Sequence, residues 1–169
     1  MNKGQIIYVG CDNKLHWQGC SYACALGKGG IALDKSEGDG ATPTGVFSLR
    51  RVLYRADRIE PPQTLLNIQK ITKTDGWCDD PSHPNYNRPI QLPFAASHEE
   101  LWRDDHIYDI IVILGHNDNP PVPEKGSAVF FHLARENFEP TQGCVAVTLE
   151  CMLEILKTAE SGIEMEITL

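Results

Sequence analysis

The stretch SAVFFHLARENFEPTQGCVAV, residues 127–147, decides how the chain is built. Ser127 to Leu133 is apolar enough for a strand buried on both faces, and it delivers His132 near its end. NFEPTQG then supplies turn chemistry, with Pro140 fixing one backbone angle and Gly143 permitting a tight bend. Cys144 to Val147 is short and apolar, and the turn can bring it back beside the first strand. His132 and Cys144, twelve positions apart, are thereby placed side by side.

Working outward, Asp109 to Leu114 is a second near-continuous apolar run of strand length, and GHNDNP (residues 115–120) ends it. Downstream, Thr148 caps a helix carrying Leu149, Met152, Leu153 and Leu156 on one face, and Ile163, Met165, Ile167 and Leu169 alternate as a final strand. Upstream, Gln5 to Val9, Lys14 to Gln18 and Ser21 to Leu26 read as hairpin strands. A Gly- and Asp-rich loop ends at Pro43 and leads into a strand from Val46 to Leu53. Residues 57–94 hold most of the prolines and read as a long irregular excursion with a short strand near Leu65 to Ile68. Ser97 and Glu100 have the form of a capping box, which predicts a short helix carrying Leu101 and Trp102. The expected fold is mainly β, a β-rich α+β arrangement with two short helices, in one domain spanning residues 1–169.

A chain of 169 residues with 22% charged and 41% hydrophobic residues has ordinary globular composition. Its net charge of −8, with no basic stripe, excludes nucleic acid as an expected partner. Ile6 to Val9 is too short for a signal-peptide core and nothing is long enough to span a bilayer, so a cytoplasmic location without membrane insertion is expected. Six irregularly spaced cysteines in a reducing compartment are then free thiols.

A thiol of ordinary pKa is a poor nucleophile until a base takes its proton, and His132 is the base within reach of Cys144. Gly143 allows close substrate approach, so amides at Gly143 and Cys144 can face a developing oxyanion, with the Thr141 hydroxyl as a further donor. Taken singly, Cys144 and His132 read more readily as core residues, which is the commoner case for either; the pairing with Gly143 gives them a chemical meaning. Cys78 with His83 is a rival pair lacking that glycine frame. Glu99, Glu100, Asp104 and Asp105 read as a solvated acidic helix face. Cys11, His16, Cys20 and Cys24 lack the tight spacing of a zinc knuckle, so no metal and no cofactor are expected.

SAVFFHLARENFEPTQGCVAV, together with DGATPTGVFSL upstream, resembles the L,D-transpeptidase catalytic-domain (YkuD-type) family, whose signature is a His followed by Ser/Thr-x-Gly-Cys. The resemblance runs from about Gly27 to Leu156 and implies that family's mixed β-sheet sandwich or barrel. It further implies that Cys144 attacks the L-centre carbonyl of an L,D peptide bond in a peptidoglycan stem peptide, with His132 as base and Thr141 and Gly143 beside them. Three departures stand out: Gln142 where His is frequent, Ala146 where many members carry Arg or Asn, and a short His-to-Cys interval.

If a polar group at 146 helps to hold substrate, another must do so here, and Arg135 and Arg88 are the candidates because a guanidinium grips a carboxylate bidentately. GWCDDPSHPNYNRP resembles a stretch from one branch of the family. It offers Trp77, Tyr86 and Asn87 as a wall for a polar peptide, or as an ordered surface loop pinned by Trp77. His116 and Asn117 either approach the same cleft or form an Asx-type turn. With a cytoplasmic location, the expected activity is L,D-carboxypeptidase action on muropeptides. Export would make the chain a transpeptidase, and loss of chemistry would make it a muropeptide-binding module.

Overall fold

A computed structural model describes residues 5–169. Its strands in chain order are β1 (Ile6–Gly10), β2 (Lys14–Trp17), β3 (Cys20–Ala23), β4 (Ile31–Ala32), β5 (Thr42–Pro43), β6 (Gly45–Tyr54) and β7 (Ile68–Lys70). After these come β8 (Asp75–Cys78), β9 (Pro89–Gln91), β10 (His98–Glu100), β11 (Ile110–Leu114), β12 (Phe130–Leu133), β13 (Val145–Val147) and β14 (Glu164–Ile167). Helix α1 spans Leu149–Thr158, and a 3-10 turn spans Glu136–Phe138.

The main sheet runs β13, β12, β11, β6, β14, β1, β2, β3, with β7 added beside β6. Its two ends meet: Ala25, just past β3, exchanges both backbone hydrogen bonds with Ala146 of β13, at 2.8 and 2.9 Å, so the sheet nearly closes into a barrel. Strands β11, β12 and β13 are buried on both faces, β11 and β12 with each face against its own core. Ile110, Val112, Leu114, Phe131, Leu133, Val145 and Val147 join one core with α1, on its Met152 and Leu156 side. Ile111, Ile113, Phe130 and Cys144 face a second core, roofed by Ile71, Trp77, Leu101 and Tyr108 from the excursion and the segment after it. The long Pro-rich excursion therefore covers the outer face of the central strands.

Three local expectations are corrected. Residues 98–100 are strand β10, not a helix start: pairing of His98, Glu99 and Glu100 with Cys78, Trp77 and Gly76 overrides the capping-box pattern. The short strand expected at Leu65 to Ile68 lies at Ile68–Lys70. Helix α1 forms where predicted, with the Thr148 hydroxyl accepting from the Cys151 amide at 3.2 Å. Its buried residues are Cys151, Met152, Ile155 and Leu156, while Leu149 and Leu153 sit at the edge, 41% and 39% exposed. No described helix is long and apolar enough to cross a membrane.

Phe131, fully buried at the centre of β12, packs into the barrel side of the sheet. Phe131→Ala is expected to cost about 3–5 kcal/mol of stability in chemical denaturation; a loss under about 1 kcal/mol would mean that β12 is not a core strand.

Candidate active site

Strand parity places the two candidate residues together. β12 and β13 run parallel with Phe131 opposite Val145 and His132 opposite Ala146. Side chains alternate, so Phe130 and His132 share the outer face with Cys144 and Ala146. His132, Cys144, Thr141, Arg135 and Ala146 all line one cavity of about 400 Å³. It is bounded also by Lys35, Glu37, Asp79, His98, Glu99, Arg103 and Tyr108.

The turn before Cys144 is locked from inside. The Gly143 amide donates to the Thr141 hydroxyl at 3.1 Å, and that hydroxyl donates to the Cys144 carbonyl at 2.8 Å. Both groups are expected from the sequence to face an oxyanion; here they bond each other, and they fix the backbone of Cys144 instead. Gly143 has φ +132, and a Cβ there would lie 2.8 Å from the Ala41 carbonyl oxygen, so only glycine fits. Thr42 adds a further bond to the Cys144 carbonyl at 3.3 Å.

The thiol and the imidazole are both neutral. Cys144 Sγ donates to the Ala128 carbonyl and accepts from the Phe130 amide, each at 3.3 Å. Burial, reinforced by the Glu99 carboxylate, pushes the thiol up to about 12, outweighing the Phe130 amide and Lys35, which favour the thiolate. His132 Nδ1 lies 2.9 Å from the Leu133 carbonyl. A carbonyl can only accept, so Nδ1 carries the hydrogen and Nε2 keeps a lone pair for a proton. Burial is the largest cause that lowers His132 to about 4, with the charges of Arg103 and Arg135 also opposing protonation. The Tyr108 ring sits edge-on to His132 at 5.2 Å and donates its hydroxyl to Glu99.

Trp77, Tyr86, Asn87, His116 and Asn117, offered above as a substrate wall or cleft, do not line this cavity; they form the frame beneath it. Trp77 Nε1 donates to Asn87 Oδ1 at 2.9 Å, and Asn87 Nδ2 donates to the carbonyls of His116 and Asn117 at 3.0 and 2.7 Å. Asn87 Oδ1 also accepts from the Ala128 amide at 3.1 Å, and the Tyr86 hydroxyl accepts from the Gly126 amide at 3.0 Å. These bonds hold Ala128 at φ +50, a backbone unusual for alanine, with its carbonyl on Cys144. Arg88 is exposed and borders a separate depression beside Arg50, Arg51 and Asp118. Cys78 is fully buried under the roof, and His83 packs edge-on against Phe94 instead of pairing with it.

Sequence reading places Glu99 on a solvated acidic helix face and misses Arg103 and Tyr108, all three of which line the cavity. Glu99 enters the cavity because β10 is a strand, which turns Glu99 and Glu100 to opposite sides. No local sequence pattern marks Glu99 as a strand residue; the pairing with β8 decides it.

Because His132 is buried neutral, the unfolded chain binds a proton there below about 6.5 while the folded chain does so only near 4. Stability is therefore present above roughly pH 6.5 and falls as pH drops through this window, by on the order of 3 kcal/mol. The acid limb of a stability–pH curve should flatten in His132→Gln relative to the native protein. Two superimposable limbs would contradict the buried neutral imidazole.

Residues 4–167 match the L,D-transpeptidase catalytic domain (YkuD) family. Among solved structures, the chain is similar to an L,D-transpeptidase from Mycobacterium smegmatis, with TM-score 0.47 and 11% identity, covering 98% of this chain and 58% of that one. The chain thus spans somewhat over half the length of that protein. Comparison with curated proteins finds no match. With the family match running over nearly its whole length, the chain belongs to the L,D-transpeptidase catalytic-domain (YkuD) family, whose enzymes are cysteine-dependent acyltransferases and peptidases.

Proposed function

We propose that the protein is a cysteine L,D-carboxypeptidase that removes the terminal D-Ala from peptidoglycan-derived tetrapeptides. The observation that carries this reading is that a thiol and an imidazole with a free Nε2 lone pair share one strand face and line one cavity of about 400 Å³, room for one short peptide. Cys144 Sγ bonds to the carbonyl carbon of the L-centre as His132 Nε2 takes the thiol proton. The C–N bond breaks, the same proton passes to the departing D-Ala amine, and a thioester remains. Water, deprotonated by His132, attacks the thioester; the C–S bond breaks and the proton returns to the thiol. Six free cysteines suit a reducing compartment, which supports a cytoplasmic site of action on recycled fragments, where water is the available acceptor.

A second reading, transpeptidation to an amine, draws on a neighbouring depression of about 600 Å³ lined by Cys24 to Lys28, Asn137, Phe138 and Pro140. It shares Pro140 with the first cavity and offers a surface along which an acceptor strand could approach.

Incubating the purified protein with a tetrapeptide, with and without an amine acceptor, and identifying products by mass spectrometry separates these readings. Tripeptide and free D-Ala should dominate, and Cys144→Ala should lower turnover on the order of 10³-fold or more. Dominant cross-linked or D-amino-acid exchange product would overturn hydrolysis in favour of transfer. Full turnover by Cys144→Ala would remove the assigned nucleophile, and binding without turnover by the native protein would make the chain a muropeptide-binding module.

A further inference from the structure

Two guanidinium groups from segments far apart in sequence meet on one carboxylate at the mouth of the cavity. Arg103 Nε and Nη2 donate to the two Asp105 carboxylate oxygens at 2.8 and 2.7 Å, and Arg135 Nη2 lies 3.1 Å from Asp105 Oδ2. Among the described residues Asp105 is the carboxylate that both guanidiniums bond, the Glu99 charge favours Arg103 from further off, and each guanidinium has five N–H donors, most of them without a protein acceptor here. The side chains of Arg103, Asp105 and Arg135 are 33%, 30% and 42% exposed, so those donors remain reachable from solvent.

The cavity's other cation is engaged: Lys35 donates to Asp39 and, at 2.9 Å, to the Ser36 carbonyl. Of the acidic groups lining it, Glu99 accepts from Tyr108 and Glu37 from Tyr86, and Asp79 and Glu139 line it as well. Ala146, opposite His132 in the strand register, projects only a methyl group into the space beside the imidazole.

The backbone beneath the pair is held rigidly although it has no regular structure. Arg55, 3% exposed, donates to the Arg103 carbonyl at 2.7 Å and stacks over Trp102 at 3.6 Å. Arg58 donates to the carbonyls of Asp104 and Asp105 at 3.0 and 2.8 Å and to Asp109 at 2.8 Å. The Leu133 amide donates to the Ile107 carbonyl at 3.0 Å, tying the segment to the end of β12, from which Arg135 follows. Donors fixed in this way lose little freedom when a ligand arrives.

We propose that Arg103 and Arg135, tied through Asp105, form a clamp for a substrate carboxylate beside His132. The clamp rests on the reading of this cavity as the peptide site. A planar guanidinium fork matches a carboxylate bidentately, and two forks sharing one tether can close on it from two sides. A bound carboxylate also offsets the positive charges that oppose protonation of His132, so binding readies the imidazole to receive the thiol proton. Two carboxylates can fill the clamp: the terminal one of the D-residue, or a side-chain carboxylate of the stem peptide.

Calorimetric binding to Cys144→Ala protein separates the clamp from the chemistry. The ligands are a tetrapeptide bearing both carboxylates, its C-terminal amide and its side-chain amide. One of the two amides should bind about tenfold or more weakly than the parent, and which one identifies the carboxylate held. Adding Arg103→Gln or Arg135→Gln should weaken binding of the parent by a similar factor yet scarcely affect the amide that has lost its grip. Arg103→Lys should fail to restore it, since an ammonium cannot make the fork. Equal affinity for all three ligands, or an equal loss with every ligand in the Arg variants, would overturn the clamp. Turnover surviving in Cys144→Ala would instead overturn the nucleophile, leaving the binding comparison intact.

Discussion

The parallel pairing of β12 with β13 is the constraint on which the rest of the site depends. A slip of one residue in either strand would send His132 or Cys144 into the barrel core, among Phe131, Leu133, Val145 and Val147. Register is held on both sides. Ile111 pairs with His132 across β11, and Ala25 ties both backbone groups of Ala146. The turn between the strands adds its own lock, since the Thr141 hydroxyl and the glycine-only conformation at Gly143 set where Cys144 begins.

The same burial that fixes the geometry sets the electrostatics. A thiol and an imidazole in a low-dielectric wall favour their uncharged forms, and here no neighbouring charge reverses that preference. Glu99 opposes the thiolate and the two arginines oppose the imidazolium, so the pair at rest is a thiol beside a neutral base. Forming the ion pair at neutral pH is therefore unfavourable, because the thiol must lose a proton and the imidazole gain one against both shifts. That cost falls when a ligand's own charge compensates the surrounding groups. A thiol kept uncharged by burial is also less open to adventitious oxidation, which follows thiolate character.

Much of this was legible in the sequence, and what was not has physical reasons. The apolar runs at 109–114 and 127–133 read correctly as buried strands because both their faces meet cores, and the turn chemistry of NFEPTQG brought Cys144 back beside His132. Thr148 announced α1, although the buried face turned toward Cys151 and Ile155 once tertiary packing chose it. The segment 97–109 was misread, since a capping pattern is a local signal and the pairing partner of β10 lies some twenty residues away in β8. With that strand went Glu99, and with the irregular loop after it went Arg103. No local periodicity marks a loop that is held by Arg55 and Arg58 from the far end of β6. Trp77, Asn87 and Asn117 stand out in the sequence for their chemistry, and they use it within the protein to set the backbone at Ala128.

The central claim, a buried thiol that is uncharged until substrate arrives, is tested most directly by titrating the ultraviolet thiolate absorbance of the native protein against Cys144→Ala. With ligand absent, the difference between the two should show no step between roughly pH 5 and 9, the range in which thiolate–imidazolium pairs of activated cysteines reveal themselves. A Cys144-dependent step centred near or below neutral pH would contradict the account.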